Sequence, residues 1–374
     1  MVAAPAVLMA LASLIGEGAR RRYVLERLPA PRPGSLPPVS VIVPVKGWDE
    51  GLAENLASLA AQDYPDFELI VTAREAGDVP EGVVPPGARL VIAGAGEEGT
   101  GEKINNLLAA VGAARASSEV LAFADSDGRV RKDWLLALVA ALEEPGAGAA
   151  SGYRWYAPVR GGFWSLLRSA WNGVIAATFG PKGAQFAWGG AMAIRRSLFQ
   201  SLGVVQYWKG AISDDYRLTD AVRAGGLRIV YAPAASVASV DHTGAREFFG
   251  WIRRQMMITR FHAPRLWWIA LFAHLLYCSA MAASAVLTVR GNVWAAAALV
   301  LQSGAGMVKG RNRAELARAA LPEQADWFQK YGWVHTWWTP LATWVWLWGL
   351  FASAIGHTVS WRGRRYRLGG RLTL

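Results

Sequence analysis

The sequence predicts an α/β fold, a mostly parallel sheet followed by C-terminal membrane helices, on three observations. Between residues 39 and 245, short apolar runs alternate with amphipathic stretches, the pattern of strands and covering helices. One of these runs, EVLAFADSD at 119–127, stops abruptly on two aspartates and Gly128, like a buried strand ending in a turn. After residue 265 the chain becomes too apolar for an ordinary soluble domain, and 24 almost uncharged residues at 266–289 are long enough to cross a bilayer. These observations divide the chain into an N-terminal membrane anchor (1–28), a globular domain (39–245), an interfacial helix (246–265), and a C-terminal membrane region with a basic tail (266–374).

Residues 2–15 are apolar and Arg20, Arg21 and Arg22 follow. At ~1.5 Å per residue such a run reaches only ~21 Å, so it reads as a short anchor. The charges follow the apolar run, where a signal peptide places them before it. PAPRPGSLPP at 29–38 is a stiff linker. SVIVPVKG then reads as the first strand, ending at Pro44 and Gly47. GLAENLASLAAQ places Leu52, Leu56 and Leu59 on one helical face. FELIVTA and ARLVIAG are the next strands, KINNLLAAVGAARA is a helix, and EVLAFADSD is the fourth strand. In WGGAMAIRRSLFQSLG a glycine turn leads into a short strand and a helix ended by Gly203. ISDDYRLTDAVRAGG is a helix with an acidic start and Gly225-Gly226 at its end, and LRIVYAP is the last strand. Residues 246–264 mix Arg with bulky apolar residues, which suits either an interfacial helix or a core-packed one. Residues 293–308 form a shorter apolar run, 309–332 are polar and basic, and 333–359 are apolar and rich in Trp. Pro340 is expected to break that last run into a re-entrant or interfacial element, which keeps the tail on the cytoplasmic side.

The formal net charge is +11. Its Arg clusters, at 20–22 and 362–367, flank apolar stretches, a placement that fits anionic lipid head groups and the positive-inside rule rather than nucleic acid. That rule puts the globular domain in the cytoplasm, against the inner membrane if the chain is bacterial. The single cysteine, Cys278, excludes an intrachain disulfide, and the five scattered histidines offer no Cys/His metal site.

Asp125 and Asp127 are i and i+2 of an extended segment, so they share a face, and a turn can aim both at one hard cation. A surface turn uses the same residues. Ligands of open α/β sheets sit at the carboxyl ends of strands, where the 125–127 turn, Asp78 and Lys103 fall. Lys103 at a helix start, with Asn105 and Asn106, either donates to a nucleotide or caps the helix. Arg254 has the planar fork to reach a diphosphate, a lipid phosphate or an exposed carboxylate. Asp214 and Asp215 either cap a helix or, if they face each other, raise one another's pKa.

From PVKGWDEGLAENLASLAAQDYPDFELIV through KINNL, ADSDGRV, the GGAM segment and SDDYRLTDAV, and again at SWRGRRYRL, the chain resembles ceramide glucosyltransferase and its bacterial relatives. These are membrane-bound glycosyltransferases of families 2 and 21. The resemblance covers most of residues 40–265 and the tail. It implies a GT-A catalytic domain, a nucleotide-sugar donor such as UDP-glucose, a divalent cation (Mg²⁺ or Mn²⁺) and a lipid acceptor such as ceramide, a sphingolipid. It places the family's first aspartate on Asp78 beside the nucleotide and its second on Asp125, with Asp127 completing the metal-binding pair. The third falls on Asp215, the catalytic base, with Asp214 orienting neighbouring groups or tuning it. The family's (Gln/Arg)-x-x-Arg-Trp motif falls on Gly250–Gln255, where Arg254 matches the Arg but the Trp and the leading Gln/Arg are replaced. A processive polysaccharide synthase, which would normally have more membrane spans, and a non-catalytic scaffold keeping the fold are the competing readings. The sequence identifies no protein partner.

Overall fold

A computed structural model of the chain describes residues 3–368. The elements run α1 (Ala3–Glu26), β1 (Val39–Pro44), α2 (Leu52–Ala60), β2 (Phe67–Ala73), β3 (Arg89–Ile92), α3 (Glu102–Ala113), β4 (Val120–Ala124) and β5 (Arg129–Val130). Then come α4 (Trp134–Leu142), β6 (Ala147–Ser151), β7 (Arg154–Tyr156), α5 (Phe163–Gly173), β8 (Phe179–Gly180), β9 (Gly183–Ala184), β10 (Ala191–Arg195), α6 (Arg196–Ser201), α7 (Val204–Trp208) and α8 (Asp214–Ala224). The last are β11 (Arg228–Tyr231), β12 (Val237–Ser239), α9 (Ala245–His262), α10 (Pro264–Val289), α11 (Val293–Ala320), α12 (Ala325–Tyr331), α13 (Trp333–Trp337), α14 (Thr339–Ala354), β13 (Thr358–Trp361) and β14 (Arg364–Arg367).

The chain divides into two compact units. The sheet unit comprises Glu26–Val159, Thr178–Asp241 and the chain from Ser360 onward. Its main sheet has the order β11-β6-β10-β4-β1-β2-β3. β1 lies parallel between β2 and β4, with Val39 opposite Phe67 on one side and Val120 on the other. Both faces of this centre are covered, so β1 and β4 read as continuous apolar runs, and all of β4 is buried. At the edge, β3 is largely exposed and begins with Arg89, a charge that discourages further pairing. α3 packs on β1, β2 and β3, while α4 packs on β4, β6, β10 and β11.

The sheet is mixed but mostly parallel, as the sequence predicts: of its seven strands β10 alone runs antiparallel to its neighbours. β10 is antiparallel to both β4 and β6, with Ala191 opposite Ala124 and Arg195 opposite Val120. The chain enters β10 beside the carboxyl end of β4, so it must run back along that strand. Apolar patterning specifies that a strand is buried but not its direction.

The helical unit comprises the chain up to Leu25, Arg160–Ala177 and His242–Val359. Its core joins Leu167 and Trp171 of α5 to Phe248, Ile252 and Met256 of α9, Trp267 of α10 and Leu350 of α14. Trp171 and Trp346 stack with centroids 4.4 Å apart. Among the described residues, α1 and α10 are long and apolar enough to cross a membrane. α1 continues through Arg20–Arg22, so the helix outlasts the short apolar run expected at 2–15; residue 2 lies outside the described residues. α11 likewise runs on past 308 to Ala320. Its polar half is partnered along α1: Lys309 Nζ donates to Ser13 Oγ at 2.6 Å, Asn312 Nδ2 to Glu17 Oε1 at 2.7 Å, and Arg21 pairs with Glu315 at 2.9 Å. The contacts rise in step along both helices, so α1 and α11 run parallel. Pro340 lies in the first turn of α14, which separates that helix from α13. The basic tail forms the β13–β14 hairpin, and its last residues, 369–374, lie outside the described residues.

Candidate active site

β4 delivers the site. Its five buried apolar residues end at Ala124, and the chain turns at once, leaving Asp125 and Asp127 part-exposed with Ser126 buried between them. Gly128 permits the turn, because a Cβ there would lie 2.4 Å from Val237 Cγ1. Asn55 of α2 donates to Ser126 O at 3.1 Å, and Ser126 Oγ donates to Asp49 Oδ2 at 2.7 Å.

The first residues of α3 and α8 meet this turn. Lys103 Nζ lies 2.8 Å from Asp125 Oδ1 and 3.0 Å from Asp214 Oδ2, one ammonium joining two carboxylates. Two hydrogen bonds tie the segments leading into these helices: Gly101 N donates to Ala211 O at 2.7 Å and Gly210 N to the Thr100 side-chain Oγ1 at 2.8 Å. Trp208, packed on Phe123 at 5.4 Å, donates its indole N–H to Asp214 O at 2.9 Å. The Gly189-Gly190 turn passes against the carboxylates. A Cβ on Gly189 would meet Asp214 Oδ2 at 2.6 Å and Lys103 Nζ at 2.9 Å, and one on Gly190 would meet Asp125 Oδ2 at 2.8 Å. Only residues without side chains fit there.

The adjacent aspartates face different surroundings. Asp214 is 4 % exposed and paired with Lys103. Burial pushes its pKa up to about 6; Lys103 opposes the rise, while Asp215 and Asp125 add to it. Asp215 is half-buried, and its Oδ1 accepts from the Ser213 hydroxyl and from Tyr216 N at 2.7 Å. Both donors engage the same oxygen, so the carboxylate is fixed while Oδ2 stays available. Burial alone would raise Asp125, but Lys103 and then Arg154 outweigh it and hold the group below the ordinary carboxylate range.

Two further participants lie outside the candidate site residues read from the sequence, although Arg362 falls within SWRGRRYRL. Arg154, from β7, places Nη2 2.5 Å from Asp127 Oδ1 and 3.1 Å from Asp125 Oδ2, and Nη1 2.9 Å from Asp127 Oδ2. Arg362, on the tail hairpin, grips both oxygens of Asp49 at 2.7 and 2.9 Å and also donates to Lys46 O. It has a φ of 45°, unusual for a side-chain-bearing residue, at the turn before Gly363. Burial raises the Asp49 pKa, with Arg362 opposing. Next along the hairpin, Arg364 Nε lies 2.7 Å from Glu102 Oε2, one residue before Lys103.

Of the residues expected from sequence, Asp125, Asp127, Lys103 and Asp214 meet in one cluster, with Asp215 the next residue along α8. Asp78 lies in the loop after β2, where its carbonyl accepts from Gly47 N at 2.6 Å. Asn106 is 2 % exposed, and its backbone carbonyl accepts from Thr72 Oγ1 at 3.1 Å. Arg254 lies on α9 of the helical unit.

A divalent cation can be tested against these residues. Asp125 and Asp127 both pair with the Arg154 guanidinium, so their oxygens already converge on one positive group. Their hard oxygens suit Mg²⁺ or Mn²⁺. Among the described residues, no set of three or more Asp, Glu, His or Cys could hold a metal. The remaining positions would therefore fall to phosphate oxygens and water, as is usual for Mg²⁺.

A family model described as glycosyl transferase family 21 matches residues 2–372. Among solved structures, the chain is similar to a mannosyltransferase from Pyrobaculum calidifontis in complex with GDP-Man and Mn²⁺. The TM-score is 0.52 and the identity 19%, over 90% of this chain and 99% of that one. It is also similar, at a TM-score of 0.40 and 17% identity over 63% of this chain and 80% of the other, to a mycobacterial protein.

Proposed function

The chain belongs to glycosyl transferase family 21, and on that premise we propose that it is a membrane-bound, metal-dependent, inverting hexosyltransferase. It moves glucose from UDP-glucose to a lipid hydroxyl, in the manner of a ceramide glucosyltransferase. The observation that carries this is the convergence at the end of β4 of two cation-facing carboxylates, a lysine and the acidic start of α8. The apolar helices α1 and α10 support a membrane location and with it a lipid acceptor, and the Arg clusters beside the apolar stretches support the cytoplasmic face.

Transfer requires a stabilised leaving diphosphate and an attacking hydroxyl that loses its proton. Asp125 and Asp127 would hold the divalent cation, which supplies charge neutralisation for the diphosphate when bound. Lys103 adds a fixed positive charge beside Asp125, and Asp214 keeps it there. Asp78, in the loop after β2, is proposed to contact the donor, and Arg254 the diphosphate or acceptor. Asp215 is the base: Ser213 and Tyr216 N orient it, and Oδ2 accepts the acceptor's proton. Attack from the face opposite the diphosphate inverts the anomeric centre, so an α-linked donor yields a β-glycoside.

Mass spectrometry of lipids from cells with and without the active chain tests the assignment. A hexosyl lipid present only with the active chain is expected. Label from the donor accumulating in a polymer would point instead to a polysaccharide synthase.

A further inference from the structure

We propose that Arg154 is a built-in counter-cation for Asp125 and Asp127. It competes with the divalent ion and yields the carboxylates only when a nucleotide diphosphate arrives with the metal. This rests on the reading of the two aspartates as the cation site. The guanidinium makes two nearly parallel contacts to Asp127, at 2.5 and 2.9 Å, and a third to Asp125 at 3.1 Å. That is the strong, bidentate form of carboxylate pairing. A metal ion cannot take both carboxylates while those contacts persist. Arginine stays protonated at any pH the protein meets, so the pair is freed by movement rather than titration.

Arg154 also has a second seat. Its guanidinium lies 4.9 Å from the Trp188 ring centroid and 5.4 Å from that of Tyr156, and Nη1 donates to the Tyr156 hydroxyl at 3.0 Å. These holds do not depend on the aspartates and suit a cation on aromatic faces. A diphosphate brings negative charge that offers the released guanidinium a new partner and the metal its missing ligands. Free metal then binds weakly, and metal and nucleotide strengthen one another by the same factor.

The test is Mn²⁺ binding to the purified full chain, read as the free-ion electron paramagnetic resonance signal with and without UDP. Wild type is expected to bind Mn²⁺ at least about tenfold more tightly when UDP is present. Arg154→Gln is expected to bind Mn²⁺ about tenfold more tightly than wild type without UDP, with a smaller gain on adding UDP. Arg154→Lys, which keeps the charge but loses the fork, falls between them. A purely structural role predicts equal or weaker binding in both variants. No gain in Arg154→Gln overturns the proposal, and if that variant does not fold, no gain in Arg154→Lys does so. Sugar transfer is measured separately. A chain that shows the gain but transfers no sugar keeps this inference and loses the proposed function; one that transfers sugar without the gain does the reverse.

Discussion

Asp214 and Asp215 are neighbours in sequence, yet one is locked behind a lysine and the other is presented on a helix end. The difference comes from the helix itself, because consecutive side chains diverge by about 100°. Asp215 turns to the donors of its own first turn, while Asp214 turns inward to Lys103. Burial of Asp214 gives a pH dependence of stability with a definite sign. Its folded pKa is raised from 3.8 to about 6, so the folded state holds a proton that the unfolded state has released. The stabilisation is complete below the unfolded value and is lost as pH rises through about 6. The effect is at most about 3 kcal/mol. Asp125, whose folded pKa is lowered, acts below that window and in the opposite sense. Urea midpoints at pH 5 and pH 7 in the presence of chelator should therefore differ for wild type, and Asp214→Asn should flatten the difference. Equal slopes in the two proteins would remove the buried carboxylate from this account. The Asp pair and Lys103 were legible in the sequence because turn residues at a strand end and charges at a helix start are local signals. Arg154 was not: a single arginine in a three-residue strand has no periodicity, and its partner Asp127 lies 27 positions away.

At the scale of elements, most of the sheet unit was readable. FELIVTA became β2 without change of boundary, and β1, β3, β4, α2, α3 and α8 lie within a few residues of their apolar or capped stretches. The direction of β10 was not readable, since it reverses for a topological reason that patterning does not encode. The extent of α11 was missed for a different reason: its polar half pairs with α1 some 295 residues away, and composition alone cannot see such a partner. The same holds for the tail hairpin, read from sequence as a basic run. In the fold, Arg362 grips Asp49, which in turn accepts from Ser126 between Asp125 and Asp127. The hairpin thus braces the 125–128 turn through two links. Arg362→Ala should cost about 1 kcal/mol, since the pair is part-exposed. It should also speed hydrogen exchange at 125–128 together with 360–367. Faster exchange confined to the hairpin would show that the brace ends at Asp49.

For the whole molecule, the expectations concern the membrane and the reaction. If charge sets orientation, Arg20–Arg22, the Arg253–Arg265 stretch and the tail share the cytoplasmic side. Replacing the buried Cys278 and introducing Arg22→Cys or Arg365→Cys should give thiols protected from an impermeant reagent in intact cells. Labelling of Arg365→Cys from outside would make α13–α14 a full crossing. The reaction itself has the sharpest consequence, because a base and a helix cap predict different losses at Asp215. Loss of a general base costs about 10²–10⁴ in rate, whereas loss of a cap costs ~1 kcal/mol in stability with turnover per folded molecule unchanged. The most direct measurement is single-turnover transfer of labelled sugar from the nucleotide donor into organic-soluble lipid, comparing wild type with Asp215→Asn in the same membranes. Thermal stability and donor binding are read on the same preparations. The expected result is a β-linked lipid glycoside from wild type and at least about a hundredfold slower transfer by a folded, donor-binding Asp215→Asn. A destabilised but fully active Asp215→Asn, or an α-linked product from an α-linked donor, would contradict it.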